Sequence, residues 1–470
     1  MPRTGAGTSL STQIVAQTPE LACPSSGDQQ SSCRAFLSTL FAAFDTNGLR
    51  YCVLHSWDEL PERIASDLDI ALHPDDFMSL PLVLKHLRQS GYVPVQALNY
   101  LVGAHYFVFV WFDGFTVHSA AVDIITEHRR GGLKAPSVHS LVAGRRRQGL
   151  FWIPAPESEF LYLLAKKVWK RAASPAQECR LQTLVEQLGR PRAEELAGQI
   201  FLGQMNRRVV EACVSRNLGA LLAHTRAQTW KTSLARNPLG VIAYASSEAL
   251  RCFRRLKQPT GLLIAVLGPD GSGKSTLVEQ LIHSSRRAFR RTRVFHWRPA
   301  LLWRRAATGD TTQPHARPCR SAAPSVARLC AFLFDYWAGY AVLIAPRLAR
   351  SGLIIFDRYF DDVLIDPLRY RYGGPAWIAR MLARVAPRPD LFLILDSPEH
   401  VIASRKQELT SEELQGQRQL YLEYAGRQAR ARTIDGSRQL ADVTMQAARA
   451  VFEFLANRFD RRHPTWAARA

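Results

Sequence analysis

Gly268-Pro-Asp270-Gly271-Ser272-Gly273-Lys274-Ser275 is the stretch on which the reading of this chain turns. It fits the phosphate-loop pattern of a glycine, four variable residues, a second glycine, a lysine and a Ser or Thr. Upstream, Gly261-Leu-Leu-Ile-Ala-Val-Leu267 is an unbroken apolar run with β-branched members, which predicts a buried parallel strand. Downstream, Thr276-Leu-Val-Glu-Gln-Leu-Ile282 has apolar residues at helical spacing. Strand, glycine loop and helix together suit a triphosphate. Glycines let backbone N–H groups converge on phosphate oxygens, and the helix N-terminus adds a favourable dipole. On this reading Gly268 through Thr276 bind ATP phosphates, Lys274 reaches the β- and γ-phosphates, and Ser275 ligates Mg2+.

Composition sets the outer limits. With 470 residues the chain is expected to hold two or three domains, and 47% hydrophobic residues suffice for ordinary cores. A net charge of +21, carried mostly by arginine along the whole chain, points to anionic ligands. The arginines are scattered, without an aromatic-interleaved patch, so no specific nucleic-acid partner is expected. The eight cysteines form no CxxC pair and no zinc spacing with histidine, which suits a reducing, cytoplasmic setting. The first thirty-odd residues are polar and lack an apolar segment, so residues 1–33 are expected to be a disordered tail without a secretory signal. Leu329 to Leu348 is the one apolar run of membrane length, but Asp335 interrupts it and Arg328 and Arg347 bracket it. A buried helix is expected there, and no transmembrane segment.

Pattern changes divide the rest. Residues 34–156 alternate short apolar runs with turn residues, among them Tyr51 to His55, Leu68 to Leu72, Tyr106 to Phe112 and Ala121 to Ile125, which predicts an α+β domain. Residues 157–258 lose strand character and read as a helical middle region. From 259 to 470 strands and helices alternate, as in an α/β domain with a doubly wound parallel sheet.

Further along, Leu353-Ile-Ile-Phe-Asp357-Arg358-Tyr359 is an apolar strand ending in a charged triplet, and Pro389-Asp390-Leu-Phe-Leu-Ile-Leu-Asp396-Ser-Pro398 is a second apolar run opening a helix with Arg405 and Lys406 near its end. With Thr433 to Ser437, these ordered motifs resemble a thymidylate kinase from about Thr260 to Phe459. The resemblance implies an ATP- and Mg2+-dependent phosphotransferase. It gives Arg358 the acceptor phosphate, Asp357 the Mg2+ ion or its water, Arg405 a bridge between donor and acceptor, Arg298 of His296-Trp-Arg-Pro299 the acceptor phosphate, and Asp270 the acceptor sugar.

The base-reading residues of that family are not recognisable. Phe334 to Tyr340 and Phe360 to Tyr372 stand where the family usually carries an arginine and a Tyr-Gln-like stretch. Replaced polar groups imply a replaced acceptor. Asp361, Asp362 and Asp366 follow Arg358 within a few positions, and a sugar hydroxyl, unlike a phosphate, needs a base, which one of these or Asp357 could supply; helix-dipole compensation or pairing with Arg369 and Arg371 is the other reading of the cluster. The expectation is therefore a non-thymidylate acceptor, an anionic or sugar-type small molecule, with Asp361 and Asp362 beside it. A thymidylate kinase proper is the alternative.

In Ser66-Asp67-Leu68-Asp69-Ile70 two aspartates at i and i+2 share one face of a strand, and Asp123 within Ala121 to Ile125 offers a third carboxylate from a neighbouring strand. With Leu54-His55-Ser56 preceding, the arrangement resembles the minimal nucleotidyltransferase domain, in which Asp67, Asp69 and Asp123 would hold Mg2+. That family has glycine where His55 stands. End to end the chain resembles uncharacterised bacterial proteins that couple two such domains, and their surface-polysaccharide setting implies a sugar or glycan intermediate as acceptor. A third reading is a nucleotidyltransferase with an ATP-gated phosphate loop. A homodimer is compatible with each.

Overall fold

The computed structural model describes residues 26–64, 67–114, 116–127, 129–130, 133–134, 136–170, 173–201, 203–219, 221, 234, 238–302, 318–405 and 411–467. Two five-stranded sheets organise them.

The amino-terminal sheet holds β1 (Tyr51–Val53), β2 (Leu68–Leu72), β3 (Val93–Leu101), β4 (Ala104–Asp113) and β5 (Thr116–Ile125), in the order β1-β2-β5-β4-β3. β2 and β5 are parallel and the other pairs antiparallel. Alternation along β4 sends Phe107 and Phe109 to one face and Val108 and Val110 to the other. The first face is covered by the helices Ser26–Thr46 and Leu80–Gln89. The helix Ser26–Thr46 begins within the stretch expected as a tail, and its Phe36, Leu37, Leu40, Phe41 and Phe44 are buried against the sheet.

Two small hairpins follow, β6 (Arg129–Arg130) with β7 (Leu133–Lys134) and β8 (Arg146–Gln148) with β9 (Phe151–Ile153). The helices Pro156–Lys170, Pro175–Leu188, Arg190–Ala197 and Met205–Val214 then share one core with Cys52, Leu54, Ala71, Ala104 and Ile125 of the sheet. The helical stretch is thus packed into the amino-terminal unit.

The carboxyl-terminal sheet is wholly parallel: β10 (Leu262–Leu267), β11 (Arg291–His296), β12 (Gly352–Asp357), β13 (Leu391–Asp396) and β14 (Ala431–Asp435), ordered β11-β12-β10-β13-β14. All six β10 side chains are buried, half facing each side, each worth roughly 1.5–3 kcal/mol where it removes a full aliphatic side chain from water. Helices cover both faces, as the sequence predicts. The chain passes from β12 on one side of β10 to β13 on the other, so the crevice of the switch point opens at the C-terminal end of β10. That end carries the phosphate loop.

The helix Leu440–Arg462 lies between the sheets, its Ala448, Val451, Phe452 and Leu455 sharing a core with Val95, Val108 and Val110 on one side and Ile264 and Val266 on the other. The run Ala322–Leu348 is one long helical segment with a π-helical turn at Tyr340–Ile344, long and apolar enough to cross a membrane. The expected burial holds for one face only: Phe334, Trp337 and Val342 are exposed, while Asp335 is fully buried in an ion pair with Arg298.

Candidate functional site

The phosphate loop turns between β10 and the helix Lys274–Ser285. Its glycines are there for backbone reasons: Gly271 and Gly273 have φ of 82° and 98°, and a Cβ on Gly268 would stand 2.8 Å from the Leu395 carbonyl oxygen. Lys274 is buried and donates to the carbonyls of Gly268 at 3.0 Å and Pro269 at 2.6 Å. Burial, with the Arg358 charge beside it, pushes its ammonium down to about 7. Its partners here are the loop's own carbonyls, which a phosphate can replace. Ser272 is buried beneath the loop, with Ser397 Oγ donating to its carbonyl at 3.1 Å. Thr276 follows in the first turn of the helix.

Asp357 ends β12, in register with Val266 of β10 and His296 of β11. Ser275 Oγ lies 3.4 Å from Asp357 Oδ2, and His296 Nδ1 lies 3.3 Å from the same oxygen. Asp357 Oδ1 is buried without a hydrogen-bond partner among the described residues. Burial would raise its carboxyl, but the His296 hydrogen bond and the Lys274 charge lower it on balance. An ionised, under-satisfied carboxylate oxygen next to a serine hydroxyl suits a hard cation, so Ser275 and Asp357 fit a Mg2+ ion.

Arg358 follows in the left-handed region, φ 74°, a strained conformation for a non-glycine residue. The turn directs its guanidinium back under the phosphate loop. It is buried, donates to Asp362 Oδ2 at 2.8 Å and to Tyr421 Oη at 3.4 Å, and pairs with Asp270. Asp270 is also paired with Arg369 and lies 3.8 Å from Lys274. Although burial would raise it, Arg358, Lys274 and Arg369 hold its carboxyl well below the usual range. Arg369 was read from sequence only as a pairing partner of the nearby carboxylates, and its pairing here is with Asp270; Tyr370 and Tyr421 carry no motif, and their convergence depends on the turn after Arg358.

The carboxylates after Arg358 do not gather around the loop. Asp362 is fully buried and accepts from Arg358, Tyr370 at 2.7 Å and Tyr421 at 2.6 Å, which commits it to holding these three groups. Asp361 instead lines a separate cavity of about 660 Å3 with Arg388 and Tyr424, where burial pushes its carboxyl up to about 6. Asp366 accepts from the Arg369 N–H at 3.1 Å and from Gln417 at 3.2 Å. The physical reason is the short helix Asp362–Ile365, which turns successive carboxylates to different sides.

Arg298 donates to Asp335 at 3.0 Å and lies over the Phe332 ring, placing it in the wall below β11. Arg405 ends the helix Glu399–Arg405; its side chain and Lys406 fall outside the described residues. A basic residue that was not expected, Arg418, is held on Asp396 by two hydrogen bonds, of 2.5 and 3.1 Å, and on Glu399 at 3.5 Å.

In the amino-terminal sheet, β2 and β5 place Asp69 opposite Asp123, and oxygens of Asp67, Asp69 and Asp123 lie within 4.8 Å of one another. Ser66 lies outside the described residues. Tyr100 donates to Asp123 Oδ2 at 2.5 Å, while Asp123 Oδ1 is buried without a hydrogen-bond partner among the described residues. Burial, and then the Asp69 charge, raise the Asp123 carboxyl well above the usual range. Asp69 moves the other way: Lys166 at 3.1 Å and His55 at 2.6 Å outweigh its burial. His55, the residue in place of glycine, thus rests on Asp69. Lys166 escaped notice although two lysines in the apolar run of Pro156–Lys170 are a signal: both are buried there.

Comparison with known proteins agrees with the carboxyl-terminal geometry. The family model "Thymidylate kinase" matches residues 266–447. A thymidylate kinase of Xanthomonas euvesicatoria pv. vesicatoria is 35% identical over 145 residues, which is 30% of this chain and 58% of the relative. One of Xanthomonas campestris pv. campestris is 36% identical over 144 residues, with the same coverage. A probable thymidylate kinase of Methanosarcina barkeri is 30% identical over 215 residues, 42% of this chain and 98% of the relative. The chain therefore spans little more than half the length of the Xanthomonas proteins and nearly all of the archaeal one.

Proposed function

The chain belongs to the thymidylate kinase family, and from that premise we propose that it is an ATP- and Mg2+-dependent phosphotransferase whose acceptor is a phosphomonoester. One observation carries the reading: Lys274 and Ser275 meet the under-satisfied carboxylate of Asp357 at the C-terminal ends of β10 and β12. In phosphoryl transfer little covalent work is needed, and positioned cations supply most of the acceleration. Lys274 exchanges the carbonyls of Gly268 and Pro269 for β- and γ-phosphate oxygens. Ser275 and Asp357 would hold Mg2+, which when bound offsets charge on the transferring group. Arg358, oriented by Asp362, Tyr370 and Tyr421, presents its guanidinium to the acceptor phosphate once Asp270 yields to the substrate.

The phosphomonoester reading rests on the cations and on how the described carboxylates near the loop are engaged. A phosphate monoester is already ionised at neutral pH and needs no general base. Asp362 is engaged with Arg358, Tyr370 and Tyr421 and Asp361 lies in a different cavity, so a sugar hydroxyl would have to use Asp357 as its base, the same carboxylate that Mg2+ would claim. The relatives' names make thymidine monophosphate the first acceptor to test. Transfer of labelled γ-phosphate from ATP to thymidine monophosphate, other nucleoside monophosphates and sugars, with wild type and Lys274→Ala, decides it. Lys274-dependent labelling of a sugar hydroxyl in place of any monophosphate overturns the acceptor assignment and keeps the kinase.

A second reading concerns the amino-terminal sheet. The approach of Asp67, Asp69 and Asp123, with Asp123 Oδ1 lacking a partner, favours a divalent-cation site for a nucleotide triphosphate, in line with a nucleotidyltransferase-like domain. Lys166 supplies part of the counter-charge and His55 occupies an oxygen of Asp69, so this site binds metal more weakly than three free carboxylates would. Transfer of label from α-labelled ATP, lost in Asp69→Asn, is its test.

A further inference from the structure

The helix Pro238–Lys257 leads into β10 and serves neither site described above. Between it, the β3–β4 hairpin and the end of the helix Leu440–Arg462 lies a cavity of about 450 Å3, the size of a small-molecule site. Three parts of the chain wall it. Leu98 comes from the amino-terminal sheet, Leu250 and Arg251, Arg254 and Arg255 from the connecting helix, and Arg462 from the carboxyl-terminal domain.

Four guanidiniums are thus gathered with little to neutralise them. Glu248 takes Nε and Nη2 of Arg251, at 3.1 and 2.6 Å, and the Pro259 carbonyl takes Nη1 of Arg462 at 2.8 Å. Arg251 Nη1 and Arg255 Nε are buried without a hydrogen-bond partner among the described residues. Buried donors are almost always satisfied, and a guanidinium does not escape the cost by losing its proton. Around Arg255 the neighbouring charges are Arg251, Arg290 and Arg350, which after burial lower its proton affinity.

We propose that this junction is a second anion site, binding the diphosphate group of an organic phosphate on Arg251, Arg255 and Arg462, with the organic part against Leu98 and Leu250. Arginine matches phosphate oxygens two at a time, and the apolar wall accepts a carbon skeleton. The site is not an extension of the phosphate loop. Thr260 lies before β10 and the loop lies after it, so the six residues of the strand, roughly 20 Å at about 3.3 Å each, separate them. A ligand held by both domains and the helix between them ties the occupancy of this cavity to their relative placement.

Calorimetric titration of inorganic pyrophosphate, and then ADP, into full-length Lys274→Ala protein in EDTA tests this, because the replacement weakens the phosphate loop and the chelator excludes metal-mediated binding. One saturable site per chain is expected, with ADP binding at least as tightly as pyrophosphate. The double variant Arg251→Gln/Arg255→Gln is expected to weaken both at least tenfold. Ser247→Trp, at an exposed position on the cavity wall, removes space without removing charge, and a comparable loss is expected with an unchanged thermal melt. Absence of saturable binding, exclusion of ADP, or affinities within twofold of the parent in either cavity variant overturns the proposal.

Discussion

Arg358 and Asp362 form an ion pair at 2.8 Å in which neither side chain is more than 4% exposed. Two tyrosines complete the carboxylate, so the guanidinium that points under the phosphate loop is fixed from behind. A buried pair of this kind is weak evidence of stability in itself, yet losing one partner strands the other in a low-dielectric setting.

Asp362→Ala is therefore expected to destabilise the protein by about 3–5 kcal/mol, with Asp362→Asn less damaging because Arg358 and Tyr370 keep an oxygen to donate to while the Tyr421 hydroxyl faces the new amide N–H as an acceptor. Urea denaturation of the two variants measures the difference. Equal and negligible losses would show that Arg358 is not held from this side.

Lys274→Met is expected to lower γ-phosphate transfer by about 100-fold or more, the usual effect of removing one preorganised cation or donor from a transition state. Its effect on stability has a definite sign with pH. The folded ammonium titrates near 7, below its ordinary 10.5, so between these values the unfolded chain binds the extra proton and stability rises with pH. Denaturation at pH 7, 8 and 9 is expected to show a smaller rise in the variant than in the wild type. An identical slope would mean that Lys274 is not desolvated.

Asp357→Asn removes the negative charge whose Oδ1 lacks a partner while leaving the shape of the site. Half-saturating Mg2+ for phosphate transfer is expected to rise about tenfold or more, with ATP binding in EDTA little changed, since on the proposed reading Asp357 would reach the nucleotide only through the metal. Titration of Mg2+ at fixed ATP reads the first quantity and calorimetry the second. Unaltered Mg2+ dependence would place the ion elsewhere.

Asp123 gives the opposite pH behaviour to Lys274. Its folded carboxyl is raised above the unfolded one, so over the window from the usual carboxylate range upward the folded state binds more protons and stability falls as pH rises. Asp123→Asn is expected to remove that fall, and excess Mg2+ to reduce it in the wild type, by binding the ionised cluster. Thermal melts of wild type and Asp123→Asn across pH 4 to 8, with and without the ion, check this, and a common profile would mean that the Asp123 carboxyl is not raised and binds no ion.

The sequence by itself determined the elements whose signal is local. The apolar runs of β10, β12 and β13 and the glycine spacing of the loop are fixed by steric and hydrophobic rules that act within a few residues, and these carry the α/β fold, the phosphate site and the family. Asp67 and Asp69 were legible for the same reason, as two carboxylates on one strand face. β3 was missed: its nine residues hold Asn99 and Gln96 among apolar ones and show no clean alternation. What only the tertiary structure decided is where charges spaced along the chain meet. Asp361 and Asp362 are adjacent in sequence, yet a short helix turns one to a cavity and the other to Arg358. Lys166 reaches Asp69 across 97 positions, and Arg251, Arg255 and Arg462 share one cavity from two parts of the chain. Such meetings depend on chain crossings and on burial, which no short-range pattern encodes, and they are what set the charge state and the partners of each group.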